Sequence, residues 1–148
     1  MYPSNSAASA YAKVGLETGV IAASPHKLIL MLFEGAQLAI RTAGMHMRAG
    51  NIAAKSEAIA KAITIISGGL KSALDLKQGG EIAMRLDALY DYMCQRLFTA
   101  NVKNQPELLD EVSALLSELY SAWKQIGAPS SGFNPAAMPD EARSPIAA

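Results

Sequence analysis

Between Ser24 and Gly127 the apolar positions recur at steps of three and four residues, with no run that alternates apolar and polar over a strand's length. That period predicts helices. The first opens at Ser24-Pro25, where the serine hydroxyl can accept from a free first-turn amide and the proline fits a position that needs no donor. It runs to about Ala49 and stops at Gly50. Leu28, Leu32, Ala36, Ala39 and Ala43 form one stripe, and Met31, Leu38 and Met45 form another. At about 100° per residue, residues 28–33 point all round the axis. One neighbouring helix cannot cover them.

Asn51 suits the cap of a second helix, with Ile52, Ile59, Ile63, Ile66, Leu70 and Leu74 facing inward and Ile65 on the opposite side. Residues 75–80 read as a turn. Glu81 then opens a third helix with Ile82, Leu86, Leu89, Tyr90, Met93 and Leu97 inward, and Lys103 past its end suits the helix dipole. The fourth starts by Pro106, carries Leu108, Leu109, Val112, Leu115, Leu116, Leu119, Trp123 and Ile126, and stops at Gly127. Short turns between long helices predict an all-α, antiparallel up-down-up-down four-helix bundle over residues 24–127. Residues 1–23 scatter Tyr2, Tyr11, Val14, Leu16, Val20 and Ile21 without a period and read as an irregular N-terminal arm. Residues 128–148 hold Pro129, Pro135, Pro139 and Pro145 and read as a disordered C-terminal tail.

The chain has 148 residues, which suits one domain, and thirteen Lys+Arg balance thirteen Asp+Glu. No global field draws in nucleic acid or an acidic membrane. The single cysteine, Cys94, cannot form an internal disulfide, and the first residues lack the basic run and apolar core of a secretory signal. A reducing, cytoplasmic setting is expected. No uninterrupted apolar run approaches the roughly 18 residues of a membrane span, so a soluble chain without membrane insertion is expected.

Candidate chemistry is sparse. Carboxylate-bridged metals in bundles use a Glu-x-x-His pair on each of two helices, and the chain contains none. His26 and His46 stand about 30 Å apart on one helix, and each reads as a lone surface histidine. Gly79-Gly80-Glu81 lacks the third glycine and the preceding strand of a dinucleotide loop. Cys94 reads as inert packing, Asp87 and Asp91 as a solvated pair, and Lys27, Arg41, Arg48, Lys55, Lys61 and Lys71 as an ordinary soluble surface. No catalytic, cofactor or metal site can be assembled. Two features remain. The apolar excess of the first helix, joined by Ile65, marks either a partner site or a seat for the arm. Ser67-Gly68-Gly69 lies inside the second helix, where each glycine costs about 1 kcal/mol. It is either tolerated or marks the close approach of another backbone.

Several segments, in this order and spacing, resemble the flagellin secretion chaperones of the FliS family. They are Tyr11 in the arm, Ala23-Ser24-Pro25-His26-Lys27-Leu28-Ile29, Met31-Leu32-Phe33-Glu34-Gly35-Ala36 and Lys61-Ala62-Ile63-Thr64-Ile65-Ile66, followed by Gly79-Gly80-Glu81-Ile82-Ala83, Leu89-Tyr90-Asp91-Tyr92-Met93, Arg96-Leu97, Ala100-Asn101 and Ala122-Trp123. The resemblance covers residues 1 to about 127. It implies a cytosolic bundle without enzymatic activity that binds the disordered C-terminal segment of flagellin, prevents premature polymerisation and delivers it to the flagellar type III export gate. It also implies that the client wraps over apolar grooves, part of which the arm can cap. Candidate groove residues are Met31, Leu38, Ile65, Leu86, Leu89, Tyr90 and Met93, with Tyr11 and Leu16 as arm contacts. A helical adaptor for another secretion substrate or regulator is the alternative, and a bundle enzyme or metalloprotein a third.

Overall fold

In the computed structural model, which describes residues 24–127, helix boundaries fall where caps and breakers dictate. Helices α1 (Pro25–Ala49), α2 (Ile52–Ile65), α3 (Gly80–Lys103) and α4 (Pro106–Ile126) follow in order, and a π-helical segment, Ile66–Lys71, continues α2. Among the described residues there is no strand. Lys27 N donates to Ser24 Oγ at 3.1 Å, and Gly50 closes α1 with φ of 76°, a left-handed geometry that glycine adopts without steric cost. The expected arm and tail lie outside the described residues.

Contacts along the helices fix an antiparallel order. Gln37 donates to Ser117 and Tyr120 to Glu34, pairing α1 with α4. Arg96 donates to Glu111, pairing α3 with α4. Ser56 donates to Asn101, and Lys71 bridges Asp87 and Asp91, pairing α2 and its extension with α3. The core runs through the middle of the bundle and includes Leu32, Phe33, Ile59, Ile66, Met93, Leu97, Leu109 and Leu116, all at most 2% exposed. By length and composition α1 could cross a membrane. Its apolar side chains Leu28, Leu30, Leu32, Phe33 and Ile40 are instead buried among the other helices.

Four expectations change. Ile52 and Ile82, read as inward, are 57% and 72% exposed, because each lies in the first turn of its helix, where neighbours exist on fewer sides. Regular α2 ends at Ile65, because Gly68 and Gly69 in the π-helical segment loosen the helix. Ile65 is 6% exposed and packs toward Gly35 of α1, rather than lying opposite the core. Lys55 is 4% exposed and not on the soluble surface: its ammonium donates to Asn101 O at 3.0 Å and Asn104 Oδ1 at 3.2 Å, capping the C-terminus of α3.

Candidate functional site

The antiparallel order brings the start of α1, the end of α2 with its π-helical extension, the start of α3 and the end of α4 to one end of the bundle. The side chains there do not close the core. They surround a cavity of about 300 Å³. Ile29 and Phe33 come from α1, Leu70 and Leu74 from the chain beyond α2, Ile82, Leu86 and Tyr90 from α3, and Leu119, Trp123 and Ile126 from α4. Phe33 and Leu70 form its buried floor, Leu86 and Trp123 are half-buried, and Ile82 stands exposed on the rim. The wall is apolar, so water inside it would find few partners, and an apolar side chain from outside would gain the full benefit of burial.

The rim is braced by a contact between the two terminal turns. The His26 ring stacks on Trp123, and Trp123 Nε1 donates to the His26 carbonyl oxygen at 3.3 Å. Gly127 backs this stack so closely that a Cβ there would lie 2.0 Å from His26 Nε2. His26 is therefore half-buried and packed, not a lone surface histidine. Beside it, Tyr120 donates to Glu34 and makes an edge-to-face contact with Phe33. Burial pushes the Tyr90 hydroxyl up to a pKa of about 12.

A second, more open depression lies between α1 and α2. Gly35, Leu38, Thr42 and His46 face Glu57, Lys61, Thr64 and Ile65 across about 690 Å³. Its walls mix charge with small residues, and Leu38, 55% exposed, is its main apolar projection.

The candidate groove residues therefore divide. Leu86 and Tyr90 meet in the end cavity, while Leu38 and Ile65 meet in the α1/α2 depression. Met31 and Leu89 are half-buried, Leu89 packing against the core. Met93 is fully buried at 0% exposure, so it is a core residue: helical spacing places it on the same stripe as Tyr90, but deeper in the bundle. Tyr11 and Leu16 lie outside the described residues. Residue spacing did not single out Phe33, Trp123 or Ile126 as cavity residues, nor His26 as the partner that stacks on Trp123. The available signal is antiparallel topology, which places the last turn of α4 beside the first turn of α1.

Polar groups on the α2/α3 side are paired locally. Asp87 and Asp91 hold Lys71 at 3.5 and 3.4 Å, and the hydrogen bond and charge of Asp91, then the charge of Asp87, raise the lysine's pKa. Cys94 is half-buried, and its thiol is pushed up by burial, then by the charge of Asp91, which disfavours the reactive thiolate. Among the described residues no three His, Cys, Asp or Glu side chains gather as a metal site.

Comparison with known proteins places this geometry in context. A family model described as flagellar protein FliS matches residues 7–130. The chain is 51% identical over 117 residues to a flagellar secretion chaperone FliS of Salmonella typhimurium, covering 79% of this chain and 87% of that protein. It is 47% identical over 116 residues to flagellar secretion chaperone FliSB of Pseudomonas aeruginosa, covering 78% and 91% respectively. Similarity extends to the Bacillus subtilis flagellar secretion chaperone FliS, 34% identical over 109 residues, covering 74% and 80%.

Proposed function

The chain belongs to the flagellar protein FliS family, a family of secretion chaperones and not of enzymes, and we propose that it seats the C-terminal segment of flagellin in the cavity at the end of its bundle. The observation that carries this reading is an apolar cavity of about 300 Å³ at the end of the bundle, lined by side chains from α1, the chain beyond α2, α3 and α4. A segment whose apolar stripe would otherwise drive filament assembly finds there a competing surface of the same character. Sequestration then replaces polymerisation. In this reading the encounter takes place in the cytoplasm, before the subunit is presented to the flagellar type III export gate.

Magnitudes favour a reversible complex. Each bulky apolar side chain buried contributes about 1.5–3 kcal/mol. Ordering a disordered client opposes this by about 2–5 kcal/mol. A few anchors therefore outweigh the ordering cost by a modest margin.

The test is a titration of full-length flagellin and of flagellin lacking its C-terminal segment into the chaperone. Binding of the first alone supports the reading. Equal binding of both, or binding only of a different secretion substrate, contradicts it.

A further inference from the structure

Tyr90 is only 4% exposed, and among the described residues its hydroxyl has no hydrogen-bond partner. The neighbouring tyrosines differ: Tyr92 donates to Glu111 and Tyr120 to Glu34. Buried hydroxyls are ordinarily paired, since leaving one unpaired costs about 1–3 kcal/mol. A phenylalanine would fill the same volume without that cost. Tyr90 also belongs to the lining of the end cavity, whose other polar side-chain atom, Trp123 Nε1, is already committed to the His26 carbonyl. Among the described residues the phenol is thus the uncommitted side-chain polar group of an otherwise apolar wall.

We propose that the Tyr90 hydroxyl donates a hydrogen bond to a main-chain carbonyl of the flagellin segment in the cavity and so acts as a specificity determinant. This inference rests on the reading of the cavity as the client site. Carbonyls inside a helix already accept from the amide four residues on, whereas the last four of a helix, and those of an extended stretch, are free. Tyr90 therefore favours a client segment that inserts bulky apolar side chains and ends or interrupts its helix inside the cavity. A continuous amphipathic helix would offer the hydroxyl only the second lone pair of carbonyls already in use, a weaker match.

The test compares wild type with Tyr90→Phe in calorimetric titration of the flagellin C-terminal segment and in thermal unfolding without it. The expected result is affinity about tenfold weaker, from the lost hydrogen bond and the client carbonyl left unpaired. The melting temperature of the free variant should be unchanged or higher, because no bond to a described residue is removed. A drop of several degrees would mean that the hydroxyl serves the fold, and would overturn the inference. So would affinity within twofold of wild type, which leaves the client reading standing. If wild type does not bind the segment, the client reading and this inference fall together. Replacing single client amides by esters, which weakens their carbonyls as acceptors, should locate one position whose effect disappears in Tyr90→Phe. Absence of any such position also overturns the inference.

Discussion

The imidazole of His26 lies on the indole of Trp123 with ring centroids 5.2 Å apart and planes 19° from parallel. The contact joins the first turn of α1 to the last turn of α4 and braces one side of the cavity rim. Stacked ring pairs contribute about 1 kcal/mol beyond area burial. In a domain of about 100 residues that corresponds to roughly 4–8 °C in melting temperature. His26→Ala is expected to lower thermal stability by an amount of that order. Gly127→Ala, whose Cβ would strike the ring, should destabilise wild type but cost little in the His26→Ala background. Thermal unfolding of the two single variants and the double variant measures both effects.

Gly68 and Gly69 should respond in opposite directions to alanine. A Cβ at Gly68 meets nothing within 4 Å, so alanine adds helix preference and a stability gain of about 0.5–1 kcal/mol is expected. A Cβ at Gly69 lies 3.0 Å from Leu32 Cδ2, so it must push aside a side chain that is 1% exposed and packed in the core. Loss of about 1–3 kcal/mol is expected there, in the range for overpacked cores. Urea unfolding of the two variants gives the signs.

Lys55→Met keeps the aliphatic stem but removes the ammonium that satisfies Asn101 O and Asn104 Oδ1. A cost of about 1.5–3 kcal/mol is expected, as for hydrogen bonds that involve a charged group. Chemical denaturation checks it, and a variant as stable as wild type would show that the bonds contribute nothing net.

These cases show how far the chain reads without coordinates. Helix spans are legible because local signals coincide, as at Ser24-Pro25 and Gly50 for α1, and Leu108, Leu109, Val112 and Leu116 of the inward stripe of α4 are buried as their spacing requires, with Leu115 half-buried at its edge. Family membership is legible through many short segments in one order. Lys55 was not, because a lone lysine looks solvated until Asn101 and Asn104, more than forty positions away, are placed beside it. Ile52 and Ile82 keep the stripe's period at helix ends, where burial no longer follows period. The cavity is a space and not a motif. It depends on how four helix ends come together, which spacing along any one helix does not encode.

Acid should weaken the α3/α4 clasp. Hydrogen bonds from Tyr92 and then Arg96 hold the Glu111 carboxyl below the ordinary carboxylate range. The unfolded chain takes up a proton near the ordinary glutamate value of about 4.3, before the folded chain does. The contribution is therefore fully present above that value and is lost as pH falls through the lower folded value. The gap in melting temperature between wild type and Glu111→Gln should be constant near neutrality and shrink on acidification below about pH 4. A gap that widens there would reverse the assigned direction.

Seating of the client at the end cavity is tested most directly by calorimetric titration of the flagellin C-terminal segment into Ile82→Asp. Ile82 lines the cavity but is 72% exposed, so the fold tolerates the carboxylate while the rim acquires a charge that opposes apolar docking. Met45→Asp places the same charge at an exposed position near the other end of α1 and controls for it. The expected result is at least tenfold weaker binding for Ile82→Asp, wild-type affinity for Met45→Asp, and helix content unchanged in both. Wild-type affinity in a folded Ile82→Asp variant would contradict the assignment of the cavity as the client's seat.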